Sequence, residues 1–574
     1  MDYKNIYAQW AEDSYFDEGT RRELLGIAGD EKEIEERFHK NLEFGTGGLR
    51  GVLETGLRRM NAHTVRWTTQ AFANLILEEG GGAAARGVAI AYDCRHYSAE
   101  FAKETASVLA ANGINVKLFD DIRPTPELSF AVREYGCAAG INITASHNPK
   151  EYNGYKVYWS DGAQLPPHHA EKISDEMSAT DIFTGVKTMP FDEALAAGRV
   201  EMLGEAADRR FLDLCLCQSV SRDSVMPQIR ALKLVYTPFH GAGYKLIPRA
   251  LRELGFENVL CVGEQMIPDG DFPTVASPNP EEPDGFKIAV ELARANGASL
   301  IIGSDPDADR VGVMVRDQHG DGYQVLSGNQ TGVLLLDYLI RARKEAGTMP
   351  KHPVAIKSIV STNMASAVAE AHGVKMYETF TGFKFMAELL GKLPGNERYL
   401  MAFEESFGYL AGDHARDKDA VTAAILIAEM AAWHAKRGVT LRGALDELYA
   451  VYGHYKEKTL NIVMPGADGL ERMNELMMKW RGDPPASMGG INVIAVRDYL
   501  VGERYCSRAG DIRKLDIKGS SVLYFELEDG TVFIVRPSGT EPKMKIYILT
   551  KGRTNAECDS KIEHYQTYAR MMVR

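Results

Sequence analysis

The chain has 574 residues, of which 45% are hydrophobic and 25% are charged. These proportions are typical of folded globular proteins and exclude collagen-like and largely disordered chains. At about 100–200 residues per domain, the length predicts three to five domains. The formal net charge of −13 argues against general nucleic-acid binding, although it leaves room for local basic pockets that bind anionic small molecules.

The sequence shows no pattern for a membrane or for secretion. Its longest apolar run, residues 420–433, is interrupted by Glu429 and is shorter than the ~20 residues of a membrane-spanning helix. The first residues lack the basic and apolar segments of a signal peptide. The only close pair among the seven cysteines, Cys215 and Cys217, matches neither zinc nor redox spacing. We therefore expect a cytoplasmic protein with reduced cysteines and with no nucleic-acid or membrane partner. A monomer or homodimer is expected, although none of these patterns is the reason for it.

The predicted elements begin with 40 polar, helix-prone residues that carry no recognisable motif. Three later segments then repeat one order: a strand, a helix with apolar residues three and four apart, a glycine at the helix end, and a second strand. The first strands of these segments begin at Val88, Leu234 and Val354, and the glycines are Gly113, Gly255 and Gly373. Such units pair their strands in parallel through a right-handed crossover. The glycines are 142 and 118 residues apart, which favours three tandem α/β domains over a solenoid.

The last part of the chain follows a different pattern. From about Leu460 the residues alternate as in an antiparallel sheet, and strands at 521–527 and 531–535 are joined by a turn that ends in Gly530. A further strand at 545–549 precedes a closing helix at about 555–571. This order predicts a C-terminal α+β domain.

Ser146 lies on a loop that is a candidate site for chemistry. The small apolar residues 137–143 predict a buried strand before it, and Pro149 disfavours a helix through the residue that precedes it. Open α/β sheets bind ligands at strand ends of this kind. The residues alone fit either a reacting hydroxyl beside His147 or a polar turn that caps itself.

Asp305, Asp307 and Asp309 form a second candidate loop between predicted strands at 300–302 and 311–315. Three carboxylates at alternate positions suit a hard cation such as Mg²⁺, Ca²⁺ or Mn²⁺. An EF-hand is excluded because Arg310 and Arg316 stand where that loop needs glycine and glutamate. A solvated acidic turn is the remaining alternative.

Two further loops carry polar groups that suit a sugar phosphate. The segment 403–408 contains Glu404, Glu405 and Ser406, which suit sugar hydroxyls but also fit a plain polar turn. The segment 536–545 combines an arginine, two hydroxyl residues, a glycine and two lysines, as a phosphate site would. A basic surface turn is its alternative.

The segments TASHNP (144–149), DPDADR (305–310), FEESFG (403–408) and RPSGTEPK (536–543) resemble, in sequence and in order, those of the α-D-phosphohexomutases, the phosphoglucomutase and phosphomannomutase superfamily. The resemblance covers nearly the whole chain. It implies three tandem similar α/β domains with mixed sheets and a C-terminal α+β domain around a central cleft. The expected limits are a helical extension at 1–40, α/β domains at 41–205, 206–325 and 326–455, and the α+β domain at 456–574.

The resemblance also implies a role for each candidate residue. Ser146 would carry a phosphoryl group and would contribute an oxygen, with Asp305, Asp307 and Asp309, to a Mg²⁺ site. Arg310 and Lys156 would stabilise charge on the transferred phosphoryl group, and His147 or Lys156 would move the hydroxyl proton. Arg50 is a further candidate because residues 45–51 resemble the family's entry loop. Glu404 and Ser406 would hold the sugar, and the other substrate-binding candidates are Thr381, Gly382, Lys384, Arg536, Ser538, Gly539, Thr540 and Lys545.

The expected reaction interconverts glucose 1-phosphate and glucose 6-phosphate, with glucose 1,6-bisphosphate as intermediate and activator. The segment 379–385 and the EES form of the third loop resemble those of glucose-type mutases more than those of mannose/glucose enzymes. A phosphopentomutase or a phosphomannomutase is the alternative within the family. Outside this family, one alternative is a metal-dependent sugar phosphatase. Another is a catalytically inactive sugar-phosphate-binding protein, although such a protein is expected to lose the serine or an aspartate.

Overall fold

The computed structural model describes residues 2–45, 47–317, 320, 322–464, 468–507, 510–538 and 543–572. Contacts between residues divide the chain into two compact units. The first unit comprises Met1–Gly328, Ala387–Leu393 and Ser406–Gly438, and the second comprises Asn329–Met386, Pro394–Glu405 and Val439–Arg574.

The N-terminal part of the chain forms helices and a six-stranded mixed sheet of order β1-β5-β4-β2-β3-β6. Its strands are β1 (Leu49–Val52), β2 (Val88–Tyr92), β3 (Val116–Phe119), β4 (Ala139–Ile143), β5 (Tyr152–Trp159) and β6 (Val200–Leu203). Its helices are α1 (Tyr3–Glu12), α2 (Glu18–Gly26), α3 (Glu31–Phe38), α4 (Ala62–Glu78), α5 (Ala83–Arg86), α6 (Ser98–Ala111), α7 (Thr125–Glu134), α8 (Pro167–Ala179) and α9 (Phe191–Ala196).

The next part forms a five-stranded sheet of order β11-β10-β9-β7-β8. Its strands are β7 (Lys233–Thr237), β8 (Asn258–Cys261), β9 (Leu300–Ser304), β10 (Val311–Arg316) and β11 (Tyr323–Leu326). Its helices are α10 (Glu205–Leu216), α11 (Met226–Ala231), α12 (Gly243–Leu254) and α13 (Lys287–Asn296), with short 3₁₀ turns at Arg222–Val225, Gly263–Met266 and Pro283–Phe286.

The third part contains α14 (Gly328–Glu345), β12 (Pro353–Ser358), α15 (Asn363–Ala371), β13 (Lys375–Thr379), α16 (Phe383–Lys392), β14 (Arg398–Glu404), β15 (Gly408–Leu410), α17 (Ala420–Ala435) and α18 (Leu441–Tyr452). In the second unit β12 pairs in parallel with both β13 and β14. Asp419 begins α17 by accepting hydrogen bonds from the backbone N–H groups of Val421 and Thr422.

The C-terminal part is an antiparallel sheet of order β16-β23-β22-β21-β18-β19-β20, with β17 paired to β18. Its elements are β16 (His454–Val463), α19 (Gly469–Gly482), β17 (Ser487–Met488), β18 (Ile491–Asp498), β19 (Glu503–Cys506), β20 (Ile512–Lys514), β21 (Leu523–Leu527), β22 (Val532–Pro537), β23 (Lys543–Gly552) and α20 (Asn555–Met572).

These elements confirm the predicted fold class of three α/β segments followed by an α+β segment. In each repeat the two predicted strands pair in parallel: β2 with β3, β7 with β8, and β12 with β13. The predicted C-terminal hairpin joins β21 and β22, with Leu523 opposite Val535. None of the helices in the described part of the chain is both long and apolar enough to cross a membrane.

The N-terminal 40 residues are part of the hydrophobic core of the first unit. The Trp10 ring stacks on Phe16 with 4.4 Å between centroids and meets the edge of Phe38 at 5.7 Å. All three side chains are buried in the same core cluster as Ile90 and Ile141 of the first sheet. Because these helices bury large aromatic rings, we assign them a stabilising role.

Candidate active site

Ser146 follows β4 on a turn that holds it in an unusual backbone conformation. Its φ is +54°, in the left-handed region that a residue with a side chain seldom adopts. The Ser146 N–H donates to Thr144 Oγ1 at 2.8 Å, and the side chain is 3% exposed. Its Oγ lies 3.1 Å from His147 Nδ1 and donates to Asp305 Oδ2 at 2.9 Å. The turn therefore directs the hydroxyl at the acidic loop.

The acidic loop is the connection between the antiparallel strands β9 and β10. Asp305 Oδ1 accepts hydrogen bonds from the backbone N–H groups of Asp309, at 3.1 Å, and Arg310, at 2.9 Å. Ala308 has a φ of +49°, which tightens the turn. As a result, carboxylate oxygens of Asp305, Asp307 and Asp309 lie within 4.8 Å of one another, and all three side chains are buried.

Two buried lysines balance part of this negative charge. Lys156 Nζ, on β5, lies 2.6 Å from Asp307 Oδ2 and 3.6 Å from Asp309 Oδ2. Lys418 Nζ lies 3.2 Å from Asp309 Oδ2. Burial alone would raise the pKa of Asp307, but the charge and hydrogen bond of Lys156 outweigh it and hold that pKa below its usual value. Burial likewise favours neutral Lys156, but the two aspartates raise its pKa, so Lys156 is charged.

Asp305 has the opposite electrostatic environment. Its burial, followed by the charges of Asp307 and Asp309, raises its pKa well above the usual value. Asp307 Oδ1 and Asp309 Oδ1 are buried without a hydrogen-bond partner among the described residues. A hard divalent cation prefers oxygen ligands. The oxygens of Asp307 and Asp309, beside the Asp305 carboxyl group that resists ionisation, fit such a cation. The residues present therefore form a metal-binding acidic triad.

Cationic groups surround His147. Its pKa falls to about 2, first because the ring is buried and second because of the charge of Arg310, with smaller contributions from Arg50 and Lys156. The imidazole is therefore neutral at physiological pH. Arg50 Nη1 donates to Asn148 Oδ1 at 3.1 Å, and Arg310 Nη1 donates to Glu281 Oε1 at 3.1 Å. The structure thus brings together all the residues predicted for phosphoryl transfer.

Within the second unit, three predicted substrate-binding residues lie around one cavity. Thr381, Lys384 and Arg536 line a space of about 150 Å³, together with Phe380, Phe385 and Ser520. Arg536 Nη1 donates to the hydroxyl of Thr381. Gly382, next to Thr381, has a φ of +110°, which favours glycine at this turn. An arginine and a lysine at one small cavity suit a phosphate group.

The remaining predicted residues are spread over the two units. Glu404 ends β14 in the second unit, where the neighbouring Glu405 Oε2 accepts hydrogen bonds from the hydroxyls of Ser358 and Ser361 at 2.9 and 3.2 Å. Ser406 belongs to the first unit, and the next residue, Phe407, accepts a backbone hydrogen bond from Val311 at 3.1 Å. The segment after Glu405 therefore packs against the strand that follows the acidic loop.

The segment predicted to bind phosphate, residues 536–545, is described at its two ends. The Ser538 N–H donates to the Lys543 carbonyl at 2.8 Å, and Arg536 lies opposite Lys545 in the β22–β23 ladder. The side chain of Lys545 is exposed. Gly539 and Thr540, also predicted to bind substrate, lie outside the described residues.

Sequence reasoning missed three residues that support the site. Thr125 Oγ1 donates to Asp307 Oδ2 at 2.9 Å, and its N–H donates to the Asp307 carbonyl at 2.8 Å. Lys418 contacts Asp309, as described above, and Arg95 binds the backbone of the Ser146 loop. Asp417, Lys418 and Asp419 adjoin the buried helix α17, and charged residues are seldom buried unless they are paired, so this run indicated that the three side chains have partners without naming them.

Comparison with known proteins identifies the family. Models described as phosphoglucomutase/phosphomannomutase alpha/beta/alpha domains I, II and III match residues 41–182, 217–320 and 327–452. The chain belongs to the phosphoglucomutase/phosphomannomutase family. This result confirms the resemblance seen in the sequence motifs.

Two similar members of the phosphoglucomutase/phosphomannomutase family are bacterial proteins named phosphoglucomutase. The protein of Staphylococcus haemolyticus (strain JCSC1435) is 37% identical over 523 residues, which span 90% of this chain and 91% of that one. The protein of Staphylococcus aureus (strain USA300) is 36% identical over 523 residues, or 91% and 92% of the two chains.

Solved structures of the family share the fold at lower identity. A putative phosphomannomutase from Thermus thermophilus aligns with a TM-score of 0.68 and 22% identity, covering 92% of this chain and 99% of that one. The open form of the phosphoglucomutase pp63/parafusin from Paramecium aligns with a TM-score of 0.66 and 18% identity, covering 93% and 95%.

Proposed function

We propose that the protein is a phosphoglucomutase, which interconverts glucose 1-phosphate and glucose 6-phosphate through a phosphoserine at Ser146 and glucose 1,6-bisphosphate. The observation that carries the proposal is the contact between the Ser146 hydroxyl and Asp305, one carboxylate of the buried acidic triad. A serine placed there can bear a phosphoryl group beside a cation, as phosphoryl transfer requires. The relatives named phosphoglucomutase support glucose phosphate as the substrate.

We further propose Mg²⁺ as the cation, held by Asp305, Asp307, Asp309 and an oxygen on Ser146. A phosphoserine adds about −1.5 to −2 charges beside three carboxylates, more than the nearby lysines balance. When bound, Mg²⁺ supplies charge neutralisation at the phosphoryl oxygens during transfer. Buried oxygens of Asp307 and Asp309 that have no hydrogen-bond partner in the described part of the chain support this assignment.

In the proposed reaction, the phosphoryl group leaves Ser146 Oγ and bonds to the free hydroxyl of a glucose monophosphate. The sugar hydroxyl gives up its proton, the departing Ser146 oxygen takes up a proton to become a hydroxyl, and the sugar is then a bisphosphate. When the bisphosphate reacts through its other phosphate, Ser146 Oγ loses its proton and attacks phosphorus. The bond from that phosphorus to the sugar oxygen breaks, the sugar oxygen is protonated to a hydroxyl, and Ser146 regains a phosphoryl group. The product is the isomeric monophosphate, and no phosphate is lost to water.

His147 and Lys156 have different parts in this reaction. The neutral His147 Nδ1, 3.1 Å from Ser146 Oγ, is placed to take the serine proton. Its pKa of about 2, caused first by burial and then by the neighbouring cations, makes it a weak base in the unphosphorylated protein, and a bound phosphate dianion would offset the contribution of the cations. Lys156 is charged and holds its protons, so we assign it to charge stabilisation and not to proton removal.

We propose substrate-binding roles for the candidate residues of the second unit. Arg536, Thr381 and Lys384 would hold the phosphate that does not react, together with Ser538, Gly539, Thr540 and Lys545. Glu404, and Ser406 of the first unit, would accept hydrogen bonds from sugar hydroxyls. Arg50 and Arg310 would bind phosphoryl oxygens near Ser146.

A coupled assay tests the proposal by comparing the 1-phosphates of glucose, mannose and ribose, each with a trace of its bisphosphate and Mg²⁺. We expect glucose 1-phosphate to give the highest kcat/KM and glucose 6-phosphate to be the product. Faster turnover of ribose or mannose phosphate would instead identify a phosphopentomutase or a phosphomannomutase. Release of inorganic phosphate as the main product would identify a phosphatase and refute mutase activity.

A further inference from the structure

The turn that carries Ser146 is held by one buried side chain from another loop. Arg95 lies just after β2, and its guanidinium donates to four backbone carbonyls of the segment 146–152. Nη2 donates to the carbonyl of Ser146 at 2.6 Å and to that of Asn148, and Nη1 donates to Pro149 and Tyr152 at 2.8 and 3.0 Å. The Ser146 turn therefore closes around a single cation.

The guanidinium is itself fixed in place from two directions. Asp93 Oδ2 lies 3.4 Å from Arg95 Nε, and both side chains are fully buried. The ring of Phe272, from the loop after β8, lies 5.2 Å from the guanidinium carbon in a cation–π contact. Arg95 thus has little freedom to move without disturbing the carbonyls that it binds.

The loop that carries Phe272 fits closely against the segment that contains Arg95. A Cβ at Gly270 would lie 2.7 Å from the His96 nitrogen and 3.0 Å from the Cys94 carbonyl oxygen, so only glycine fits there. Asp271 Oδ1 also pairs with Lys150 of the Ser146 turn, at 3.1 Å. The 269–272 loop and the acidic loop both connect elements of the five-stranded sheet. The contacts of Gly270 and Asp271 therefore join the Ser146 turn to the part of the chain that bears Asp305.

We propose that Arg95 is the positioning residue that holds Ser146 in its left-handed conformation and sets the place of its hydroxyl beside Asp305. Four charge-assisted hydrogen bonds to one turn oppose its relaxation to an unstrained φ. Lysine cannot replace this arrangement, because a single ammonium nitrogen lacks the planar fork of a guanidinium. The inference rests on the proposed function, because Arg95 would position Ser146 for the transfer of a phosphoryl group to and from its hydroxyl.

The test compares Arg95→Lys with Arg66→Lys in the full-length protein. Arg66 makes a paired contact with Glu104 at 2.6 and 2.7 Å on the α4–α6 face, so this control loses a similar guanidinium fork away from Ser146. Each protein is dephosphorylated and mixed with glucose 1,6-bisphosphate and Mg²⁺, and the phosphorylation of Ser146 is followed by rapid quench and intact mass. The first-order rate constant does not depend on the fraction of the protein that is folded. A variant that only lowers this fraction therefore keeps the wild-type rate constant.

We expect the Arg95→Lys rate constant at saturating bisphosphate to fall about 100-fold, with the half-saturating concentration changed less than about threefold, because misplacement of a reacting group slows the chemical step. Arg66→Lys should match the wild type. An Arg95→Lys rate constant within about threefold of the wild type would overturn the positioning role.

If Arg95→Lys does not fold, Phe272→Leu decides the question, since it keeps a buried apolar side chain at this core position and removes the aromatic face that contacts Arg95. We expect it to slow phosphorylation about three- to tenfold, and an unchanged rate would overturn the proposal. Failure of the proposed function looks different: the wild type and Arg66→Lys would then also leave Ser146 unphosphorylated.

Discussion

Replacement of Lys156 by methionine tests the charge balance of the site. Lys156 Nζ is buried, 2.6 Å from Asp307 Oδ2 and 3.6 Å from Asp309 Oδ2. Removing one partner of a buried ion pair typically costs about 3–5 kcal/mol, because the other charge is left without compensation. Asp307 keeps its hydrogen bond from Thr125, and Asp309 keeps Lys418, so we expect a loss near the lower end, about 3 kcal/mol.

The loss is measured in chelator by urea unfolding followed by tryptophan fluorescence. Trp10, Trp67, Trp159 and Trp433 all belong to the first unit, so the signal reports mainly on the unit that contains Lys156. The matched control is Lys172→Met, which removes a pair with Glu78 at 3.0 Å whose side chains are 47% and 64% exposed. Such a surface pair contributes about 0.5 kcal/mol or less.

Two conditions sharpen the experiment. Mg²⁺ should reduce the difference between Lys156→Met and the wild type, because a cation at the acidic triad replaces the missing positive charge. The pKa of Asp307 is lowered in the folded protein, so its stabilising contribution is present above the usual aspartate pKa and is lost as the pH falls below it. Lys156→Met should lose less stability than the wild type over that acidic range. A free energy of unfolding in chelator within about 1 kcal/mol of Lys172→Met would refute the reasoning.

Two other substitutions separate the acidic triad from the proposed phosphate site. Burial and the neighbouring aspartates raise the pKa of Asp305, so folding favours its protonated form. The wild type therefore loses stability as the pH rises from the usual aspartate pKa through the raised one, and in chelator Asp305→Asn should gain stability relative to the wild type over that range. Its turnover should nevertheless fall at least about 100-fold, and a variant that is active and still dependent on Mg²⁺ would contradict the role of Asp305. Arg536→Lys should raise the KM for glucose 1-phosphate about 10- to 100-fold, because it loses charge-assisted hydrogen bonds to a phosphate. An unchanged KM in steady-state kinetics would exclude Arg536 from substrate binding.

Much of the fold could be predicted because its signals are local. The structure has a strand at Val88–Tyr92, where the first repeat was predicted to begin, and a closing helix at Asn555–Met572, close to the predicted 555–571. The chemistry-bearing loops were also predictable, since Ser146 and the three aspartates stand at the ends of buried strands. These features depend only on residues close together in sequence.

The support of the site could not be predicted in the same way. Ser146 and Asp305 are 159 residues apart, and their 2.9 Å contact depends on how two sheets pack. Thr125 precedes the acidic loop in sequence and Lys418 follows it, and both contact it in the fold. Neither residue lies in a sequence motif that indicates which aspartate it contacts. Arg95 acts on backbone carbonyls, which every residue has, so the sequence of the Ser146 turn gives no sign of it.

The central claim is that Ser146 carries the phosphoryl group between the two positions of the sugar. The most direct measurement incubates the protein with glucose 1,6-bisphosphate and Mg²⁺, locates the added phosphoryl group by peptide mass mapping, and then adds glucose 1-phosphate. We predict one phosphoryl group on Ser146 that transfers to the sugar during a single turnover, and none in Ser146→Ala, which should still bind the sugar phosphate. Normal turnover by Ser146→Ala, or a turning-over wild type that never carries a phosphoryl group on Ser146, would contradict the account.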